Sequence, residues 1–414
     1  MIKTVRGQHR KSLLPGGDRA ETPLLRRLNE RRLLDALLAY GPLSRTALGQ
    51  AVAMAAPTIT KAAESLLRRG LIEELEPDQV PGRIGRPQKR LRLASRSALV
   101  IGIVLDAGHC TVVPAGLDGC HAEDRTIRFS TPLTYAELLA TLERISLEIA
   151  ADSRESLSDL SPGNLRGIGI SVPGLVNDRL DRVVFSPNLH MLDGQTPARD
   201  LERRLNTPCQ MLQESHALCL GESMFGAAKG LADFAMLDVS TGLGLGVMSG
   251  GRLLTGTSGL AGELGHLRVD PAGVLCGCGN RGCLETLATD SALARLVSES
   301  AGRPVTAEDA IAGICAGTID APEALDTVIE YLAVAVSAVV NIFNPSTLFV
   351  HGGVLAAADD VFPRLLDLVN HTVLRPSLTA CRIVRARGSK RTGALAGIID
   401  HVTSAAVPRL GGLS

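Results

Sequence analysis

The segment from His266 to Cys283 concentrates side chains that bind metal ions. His266 is followed ten residues later by Cys276, Cys278 and Cys283, in the pattern Cys-x-Cys-x₄-Cys. Thiolate sulfur and imidazole nitrogen are ligands that Zn²⁺ favours, and four of them form a closed tetrahedral site. Glycines between the cysteines allow the tight turns that bring three thiolates to one ion. We therefore predict a structural zinc site; the alternative is a chance meeting of cysteines in a glycine-rich loop.

Composition places the chain among globular proteins. Its 414 residues, 45% hydrophobic and 21% charged, are enough for about two or three domains. The cysteines outside the cluster show no evident pairing pattern, which is typical of a reducing compartment. No apolar core of a signal peptide follows the basic N-terminus, and the longest apolar run, 331–340, is shorter than a membrane span. We expect a soluble cytoplasmic protein.

Charge is distributed unevenly although the net charge is zero. Residues 1–96 contain about 19 Lys and Arg against about nine Asp and Glu, whereas the remainder contains about 24 against about 34. A basic first quarter joined to an acidic remainder indicates an N-terminal module that binds an anion. Nucleic acid is the commonest such anion.

The elements of this basic segment follow the order of a winged helix-turn-helix. Residues 1–23 are polar and basic, which predicts a flexible arm. Apolar residues then recur at helical spacing up to a Gly-Pro pair, a serine offers an N-cap for a short helix, and a proline begins a third helix that ends at a glycine. The predicted elements are helices over 24–40, 44–52 and 56–69 and strands over 71–73 and 89–94. We predict a winged helix-turn-helix DNA-binding domain over residues 24–96.

The candidate DNA contacts lie in two places. In a winged helix-turn-helix, the first turn of the last helix faces the major groove. The loop PGRIGRPQKR holds arginines in an extended segment that can enter an A·T-rich minor groove. The candidates are Ser44, Thr58, Thr60, Lys61, Arg83 and Arg86. The alternatives are a wing tip that touches only phosphates and, for the whole module, a small helical bundle that contacts proteins.

From residue 97 the pattern changes to that of an α/β protein. Strand, glycine-rich turn and strand occur together in SALVIGIVLDAG with TVVPAGLDG and again in FAMLDVSTGLGLGVMSGG, and a third strand runs into a Gly-Gly turn in TLFVHGGVL. This repetition predicts two similar lobes that face a cleft. We place the first lobe at 97–210, with the C-terminal segment 388–406 returning to it, and the second at 211–387, with the zinc loop at 266–283.

With these motifs together, the chain resembles the ROK family of repressors, open reading frames and sugar kinases. The resemblance covers about 24–399, and its most specific part is AGELGHLRVDPAGVLCGCGNRGCLE. The segments around the predicted second and third helices resemble the DNA-binding half of its repressor branch. The resemblance implies an actin-like, hexokinase-like body of two lobes that hold a sugar between them.

The resemblance also implies sugar ligands. They are Asn188 in SPNL, Glu214 at the position of the family's catalytic base, Glu263 and His266 in the ExGH stretch, and Glu285 in GCLE. A polyol needs several fixed acceptors and donors, and one carboxylate can accept from two hydroxyls. The zinc ion would position the ExGH segment without taking part in chemistry. For each carboxylate, an ordinary surface or helix-capping charge is the alternative.

Departures from the kinase pattern favour a regulator over an enzyme. Kinase members have a phosphate loop DxGGT after the first strand, whereas this chain has Val104 at the aspartate position, no paired glycines, and Asp106 two residues later. Glu214 replaces the family's catalytic aspartate with a side chain one carbon longer. We therefore predict a sugar-responsive transcriptional regulator without a catalytic residue. Its expected partners are double-stranded DNA, a sugar or sugar phosphate, and further copies of the chain in a dimer or a tetramer. A sugar kinase fused to a DNA-binding module, and a zinc-stapled interaction protein, are the alternatives.

Overall fold

The computed structural model describes residues 23–75, 89–121, 123–155 and 165–406. Most of the predicted basic arm and the candidate DNA contacts Arg83 and Arg86 lie outside these residues.

The N-terminal unit contains three helices and a small sheet. Its helices begin and end within one or two residues of the predicted positions, and Ser44 caps the second helix by accepting a hydrogen bond from the Ala47 amide (3.2 Å). A two-residue strand before this helix was not predicted, and it completes an antiparallel sheet of order β1-β3-β2. The elements are α1 (Pro23–Tyr40), β1 (Leu43–Ser44), α2 (Arg45–Ala51), α3 (Ala56–Arg68), β2 (Ile72–Leu75) and β3 (Arg90–Leu93).

The first lobe is built on a five-stranded mixed sheet of order β10-β7-β4-β5-β6. Its central strands are continuous apolar runs because both faces are covered by helices. The elements are β4 (Leu99–Val104), β5 (His109–Ala115), β6 (Ile127–Ser130), α4 (Tyr135–Glu155), β7 (Leu165–Val172), β8 (Leu175–Val176), β9 (Val183–Phe185), α5 (Pro197–Leu205) and β10 (Cys209–Gln213). The predicted lobe boundary at 210/211 falls inside β10, which pairs with β7 through Gln213, so this sheet ends three residues later.

The second lobe repeats the arrangement with a sheet of order β13-β12-β11-β14-β15. Its core is formed by the apolar faces of this sheet and of four helices that pack around the sheet. The elements are α6 (Glu214–Met224), β11 (Phe234–Asp238), β12 (Gly244–Ser249), β13 (Arg252–Leu253), α7 (Asp290–Ala301), α8 (Ala307–Cys315), α9 (Pro322–Phe343), β14 (Thr347–His351), α10 (Val361–Thr372), α11 (Arg375–Ala380) and β15 (Arg382–Arg385).

One described helix, α9, is long and apolar enough by length and composition alone to cross a membrane. The predicted apolar run at 331–340 is therefore part of a longer helix. More than half of its apolar window is buried, and side chains such as Leu332, Val336 and Val340 belong to the core of the second lobe. This packing accounts for its apolar composition.

The last helix, α12 (Lys390–Ala406), returns to the first sheet and packs on β4 and β7, beside α6. Gly393 allows α12 and α6 to approach closely, because a Cβ at Gly393 would lie 2.6 Å from the backbone of Ala217. The middle of α12 joins the N-terminal unit in one hydrophobic cluster, in which Leu395, Ile398 and Ile399 pack with α1 and α3 side chains. The helix therefore extends from the space between the lobes to the N-terminal unit.

Candidate ligand cleft, metal centre and nucleic-acid interface

A cleft lies where the strands of the two sheets end. Asp106 follows β4, Glu214 follows β10, and Asp238 is the last residue of β11, so three chain segments bring carboxylates to one place. The Thr241 hydroxyl donates to the Asp106 carboxylate across the cleft (3.1 Å). All five residues predicted to bind sugar line this cleft: Asn188, Glu214, Glu263, His266 and Glu285.

Glycine and backbone groups give the cleft its shape. Glu285 accepts a hydrogen bond from the Leu243 amide (3.1 Å), which holds the carboxylate against the β11–β12 turn. A Cβ at Gly242 would lie 2.6 Å from the same carboxylate, so any larger residue there would push the Glu285 side chain away from the turn. The Gln213 side-chain amide donates to Glu263 (3.0 Å). These contacts fix the directions of two carboxylates that sequence reasoning assigned to sugar hydroxyls.

A buried lysine at the start of α12 balances the charge at the back of the cleft. The ammonium of Lys390 lies 2.9 Å from Glu214 and 3.5 Å from Asp238, and all three side chains are largely buried. Asp238 also accepts from the Ser240 hydroxyl (2.8 Å) and contacts Nδ1 of His351 (2.9 Å). Paired buried charges of this kind are stable only while both signs are present.

Electrostatics differ sharply between the two carboxylates that Lys390 contacts. Burial raises the pKa of Glu214 to about 7, against the lowering effect of Lys390 and with the help of Asp238 and Asp106. Burial by itself would also raise the pKa of Asp238, but Lys390 and His351 hold that pKa well below its usual value. The pKa of Lys390, which burial would lower, is raised by the same carboxylates. At neutral pH the lysine and Asp238 are both charged.

A second pocket lies behind the cleft, at the Gly352-Gly353 turn that follows β14. The backbone amides of Gly353 and Val354 donate to the Asp290 carboxylate at 2.8 and 2.7 Å. These are the amides that a strand-to-helix turn would offer to an external anion. Here an internal carboxylate accepts both hydrogen bonds.

The predicted metal ligands converge. The ligand atoms of His266, Cys276, Cys278 and Cys283 all lie within 4.8 Å of one another. Nδ1 of His266 is 3.7 Å from the Cys276 sulfur, and the sulfurs of Cys278 and Cys283 are also 3.7 Å apart. Ligands at about 2.3 Å from a tetrahedral ion are separated by roughly 3.8 Å. The cluster can therefore hold a metal ion after small side-chain adjustments.

The metal cluster adjoins the cleft through His266. With Nδ1 facing Cys276, its other nitrogen, Nε2, lies 3.8 Å from Glu263. Glu285 lies on the other side, 3.4 Å from the Cys276 sulfur. An ion bound here would fix the orientation of the imidazole and of both carboxylates next to it.

In the N-terminal unit, the candidate DNA contacts have different surroundings. Thr60 and Lys61 are exposed on the first turns of α3, and Lys61 makes no ion pair with another described residue. Thr58 is half-buried, and Ser44 serves as the α2 cap. Some nearby positive charge is neutralised internally, because Lys89 contacts Glu74 at 2.8 Å.

Sequence reasoning missed four residues of the site: Asp106 as a cleft residue, Asp238, His351 and Lys390. Asp106 and Asp238 were detectable, because each lies at the end of an apolar strand, where α/β proteins place ligands. Lys390 gave no such signal, since its partners are separated from it by more than 150 residues and only the return of α12 brings them together.

The fold and the cleft define an α/β protein whose two lobes border a cleft beside a Cys/His cluster that could hold a metal ion. The chain belongs to the ROK family: the model of that family matches residues 153–404.

The chain is 28% identical to the xylose repressor of Bacillus subtilis strain 168 over 341 residues, which are 82% of this chain and 85% of the relative. It is similar to the crystal structure of a ROK family transcriptional regulator described as a homologue of the E. coli MLC protein (TM-score 0.72, 26% identity, 93% of this chain and 98% of that chain). It is also similar to the structure of the ROK hexokinase from Thermus thermophilus, with a TM-score of 0.57 and 28% identity. That match spans 74% of this chain and 99% of the hexokinase chain. The whole length of that hexokinase thus corresponds to only three quarters of this protein.

Proposed function

We propose that this protein is a sugar-responsive transcriptional regulator, in the first instance a repressor of carbohydrate genes. The observation that carries the proposal is the joining of two parts in one chain: a ROK body whose cleft gathers sugar-type ligands, and an N-terminal unit of three helices and a small sheet. The ROK hexokinase covers 74% of this chain, whereas the ROK regulator structure covers 93% of it. The repressor named for xylose, with which the chain shares 28% identity, supports the same function.

The N-terminal unit is proposed to be a winged helix-turn-helix over 24–96 that binds double-stranded DNA. Its three helices and antiparallel sheet have the order of that motif, and α3 exposes Thr60 and Lys61 at the end that would enter a major groove. A homodimer would present two such units to a two-fold operator.

The metal ion at the cluster is proposed to be a structural zinc. Three sulfurs and one imidazole nitrogen are a donor set that Zn²⁺ favours, and four protein ligands leave no open position for chemistry. Its role would be to hold His266, Glu263 and Glu285 in the orientations that a sugar requires.

Three features support a body without kinase activity. Val104 is a buried residue inside β4, so the strand offers no carboxylate at the position where kinases have one. The Glu214 carboxylate is engaged by Lys390, and the amides of the Gly353 turn are engaged by Asp290. A fused kinase, the alternative, would need these groups free for a phosphate and its metal.

The route from cleft to DNA is proposed to run through α12. Its first residue, Lys390, contacts both Glu214 and Asp238 in the cleft, while its last turns contact α1: Arg31 donates to the Ser404 hydroxyl (3.2 Å) and lies 3.8 Å from Asp400. A sugar that hydrogen-bonds Glu214 would alter the geometry of its contact with Lys390, and so shift α12 and with it the N-terminal unit. Such coupling requires different sugar affinities in the DNA-bound and free states.

Arg31→Gln tests this route. The substitution removes the ion pair of Arg31 with Asp400 and weakens its contact with Ser404, but it changes no residue of the cleft. We expect sugar affinity to stay within about twofold of wild type, while the effect of sugar on DNA affinity falls from at least tenfold to threefold or less, since coupling energies of about 1–3 kcal/mol are typical. Calorimetry measures the first quantity and fluorescence anisotropy of labelled operator DNA the second.

Asp35→Asn is the matched control for Arg31→Gln. It removes the pair between Arg31 and Asp35 within α1 (2.8 Å) and leaves the contacts of Arg31 with α12 in place. If Asp35→Asn and Arg31→Gln reduce the sugar response equally, the loss belongs to α1 stability and not to its contact with α12.

DNA binding is tested on the N-terminal unit. Arg86→Ala should weaken operator binding by about 1–3 kcal/mol if the arginine reads a groove. Lys61→Ala should weaken binding to all sequences and reduce the salt dependence by about one ion. Anisotropy at several salt concentrations distinguishes the two effects; Arg68→Ala, near the far end of α3, is the control. Unchanged affinity of both variants would favour a protein-binding bundle.

The kinase alternative is tested directly by ATP turnover with a panel of sugars. We expect no sugar-dependent release of ADP above background, while the same preparation binds specific DNA fragments. Sugar-dependent turnover at rates of the order of 1 s⁻¹ would assign the body to the kinases.

A further inference from the structure

We propose that the effector is an unphosphorylated sugar, and that the charge of the cleft excludes sugar phosphates. This inference rests on the proposed function, and it chooses between two effector classes that sequence patterns leave open.

The cleft is strongly acidic. Five carboxylates line it: Asp106, Glu214, Asp238, Glu263 and Glu285. Among the described residues that line it, His266 is the single basic side chain, and its Nδ1 faces the metal cluster. Carboxylates suit neutral hydroxyls, from which they accept hydrogen bonds, but they repel a phosphate ester that carries nearly two negative charges at neutral pH.

The lysine next to the cleft cannot compensate a phosphate. Lys390 is 12% exposed at its side chain, and its ammonium already contacts Glu214 and Asp238. Releasing it toward a ligand would leave two buried carboxylates without their partner, which is costly. The lysine therefore neutralises the protein's own charge.

The pocket behind the cleft is also poorly suited to a phosphate. The Gly353 and Val354 amides, the natural anion donors of its turn, bind Asp290. Nδ1 of His351 contacts Asp238. Among the described residues that line this pocket, Arg385 is the remaining cation, and its guanidinium stacks over the Phe362 ring at 5.0 Å. One arginine beside a buried carboxylate gives little net attraction.

The size of the exclusion follows from Coulomb's law. One carboxylate at about 7 Å from a phosphate dianion weakens binding roughly tenfold even at the dielectric constant of water. With several carboxylates around the ligand, we expect a sugar phosphate to bind at least about 100-fold more weakly than the free sugar. The difference should shrink as salt screens the charges.

The test is calorimetric titration of the full-length protein with aldopentoses, aldohexoses and N-acetylhexosamines, each paired with its phosphate ester. The expected result is binding of at least one free sugar, with its phosphate ester about 100-fold weaker or undetectable. Asp106→Asn removes one cleft charge but retains an acceptor for Thr241. It should reduce the affinity ratio between the free sugar and its phosphate ester roughly tenfold. Asp359→Asn, at an exposed position far along the chain, is the control and should leave the ratio unchanged.

Three results would overturn the inference. A phosphate ester that binds as tightly as its free sugar, or more tightly, would overturn the inference but not the proposed regulator function. If Arg385→Gln then abolished binding of the phosphate ester, the phosphate would lie in the pocket behind the cleft. If neither Asp106→Asn nor added salt changes the affinity ratio between the free sugar and its phosphate ester, then the shape of the cleft, not its charge, excludes the phosphate ester. Failure of every sugar and every phosphate to bind, with DNA binding retained, would overturn the sugar-responsive function itself.

Discussion

Cys276→Ser is expected to remove the bound metal and to lower the thermal stability of the second lobe by about 10 °C or more. The wild-type protein should contain one equivalent of zinc per chain. At a free ion concentration 1,000-fold above the dissociation constant, binding contributes about 4 kcal/mol to stability, and each kcal/mol corresponds to about 2–4 °C in a domain of 150–250 residues. The loss is large because the cysteine is buried and three other ligands depend on the same ion.

Elemental analysis and differential scanning calorimetry measure the two effects. Cys315→Ser is the matched control, because Cys315 is an exposed cysteine at the end of α8, outside the cluster. It should change neither zinc content nor melting temperature. If Cys276→Ser retains one equivalent of zinc and the wild-type melting temperature, the four side chains are not a metal site.

Glu263→Gln is expected to abolish the sugar response while leaving DNA affinity within about twofold of wild type. The carboxylate lines the cleft and can accept from two hydroxyls. An amide has a single acceptor oxygen, for which the Gln213 amide competes, and its NH₂ group cannot accept a hydrogen bond. Hydrogen bonds to a charged group contribute about 1.5–3 kcal/mol each, so the loss of two corresponds to a decrease of at least 100-fold in sugar affinity.

Glu299→Gln provides the control for this substitution. Glu299 is an exposed carboxylate near the end of α7, where it pairs with Arg295. The Glu299→Gln protein should bind sugar and DNA as the wild-type protein does. Calorimetry for sugar and anisotropy for DNA give both numbers. A normal sugar response in Glu263→Gln would remove this residue from the ligand site and with it the assignment of the ExGH stretch.

Local patterns predicted most of the elements. The N-terminal helices were predictable because apolar spacing, a serine cap and a Gly-Pro stop act within a few residues, as the cap between Ser44 and Ala47 illustrates. The metal cluster was predictable for the same reason, since its four ligands lie within 18 consecutive positions. The short strand β1 was not, because two residues carry no pattern and pair only once β3 is in place.

The cleft itself was predicted in part. The family resemblance identified the five residues that the fold gathers there, but not the ion network behind them. Lys390 meets Glu214 and Asp238 because α12 crosses back from the second lobe to the first sheet, and no local sequence property encodes that crossing. The predicted lobe boundary falls inside β10, because strand pairing with β7, not composition, decides where that strand ends.

The central claim is that one chain couples sugar occupancy of the cleft to DNA affinity. The measurement that tests it most directly is capture of genomic DNA fragments by the purified protein, followed by anisotropy of the tightest fragment during titration with free sugars. We expect a fragment with two-fold symmetry whose affinity changes at least tenfold with one unphosphorylated sugar, and no change with that sugar in Glu263→Gln. A specific fragment whose affinity is the same with and without every sugar would contradict the coupling, and the absence of any specific fragment would contradict the DNA-binding assignment.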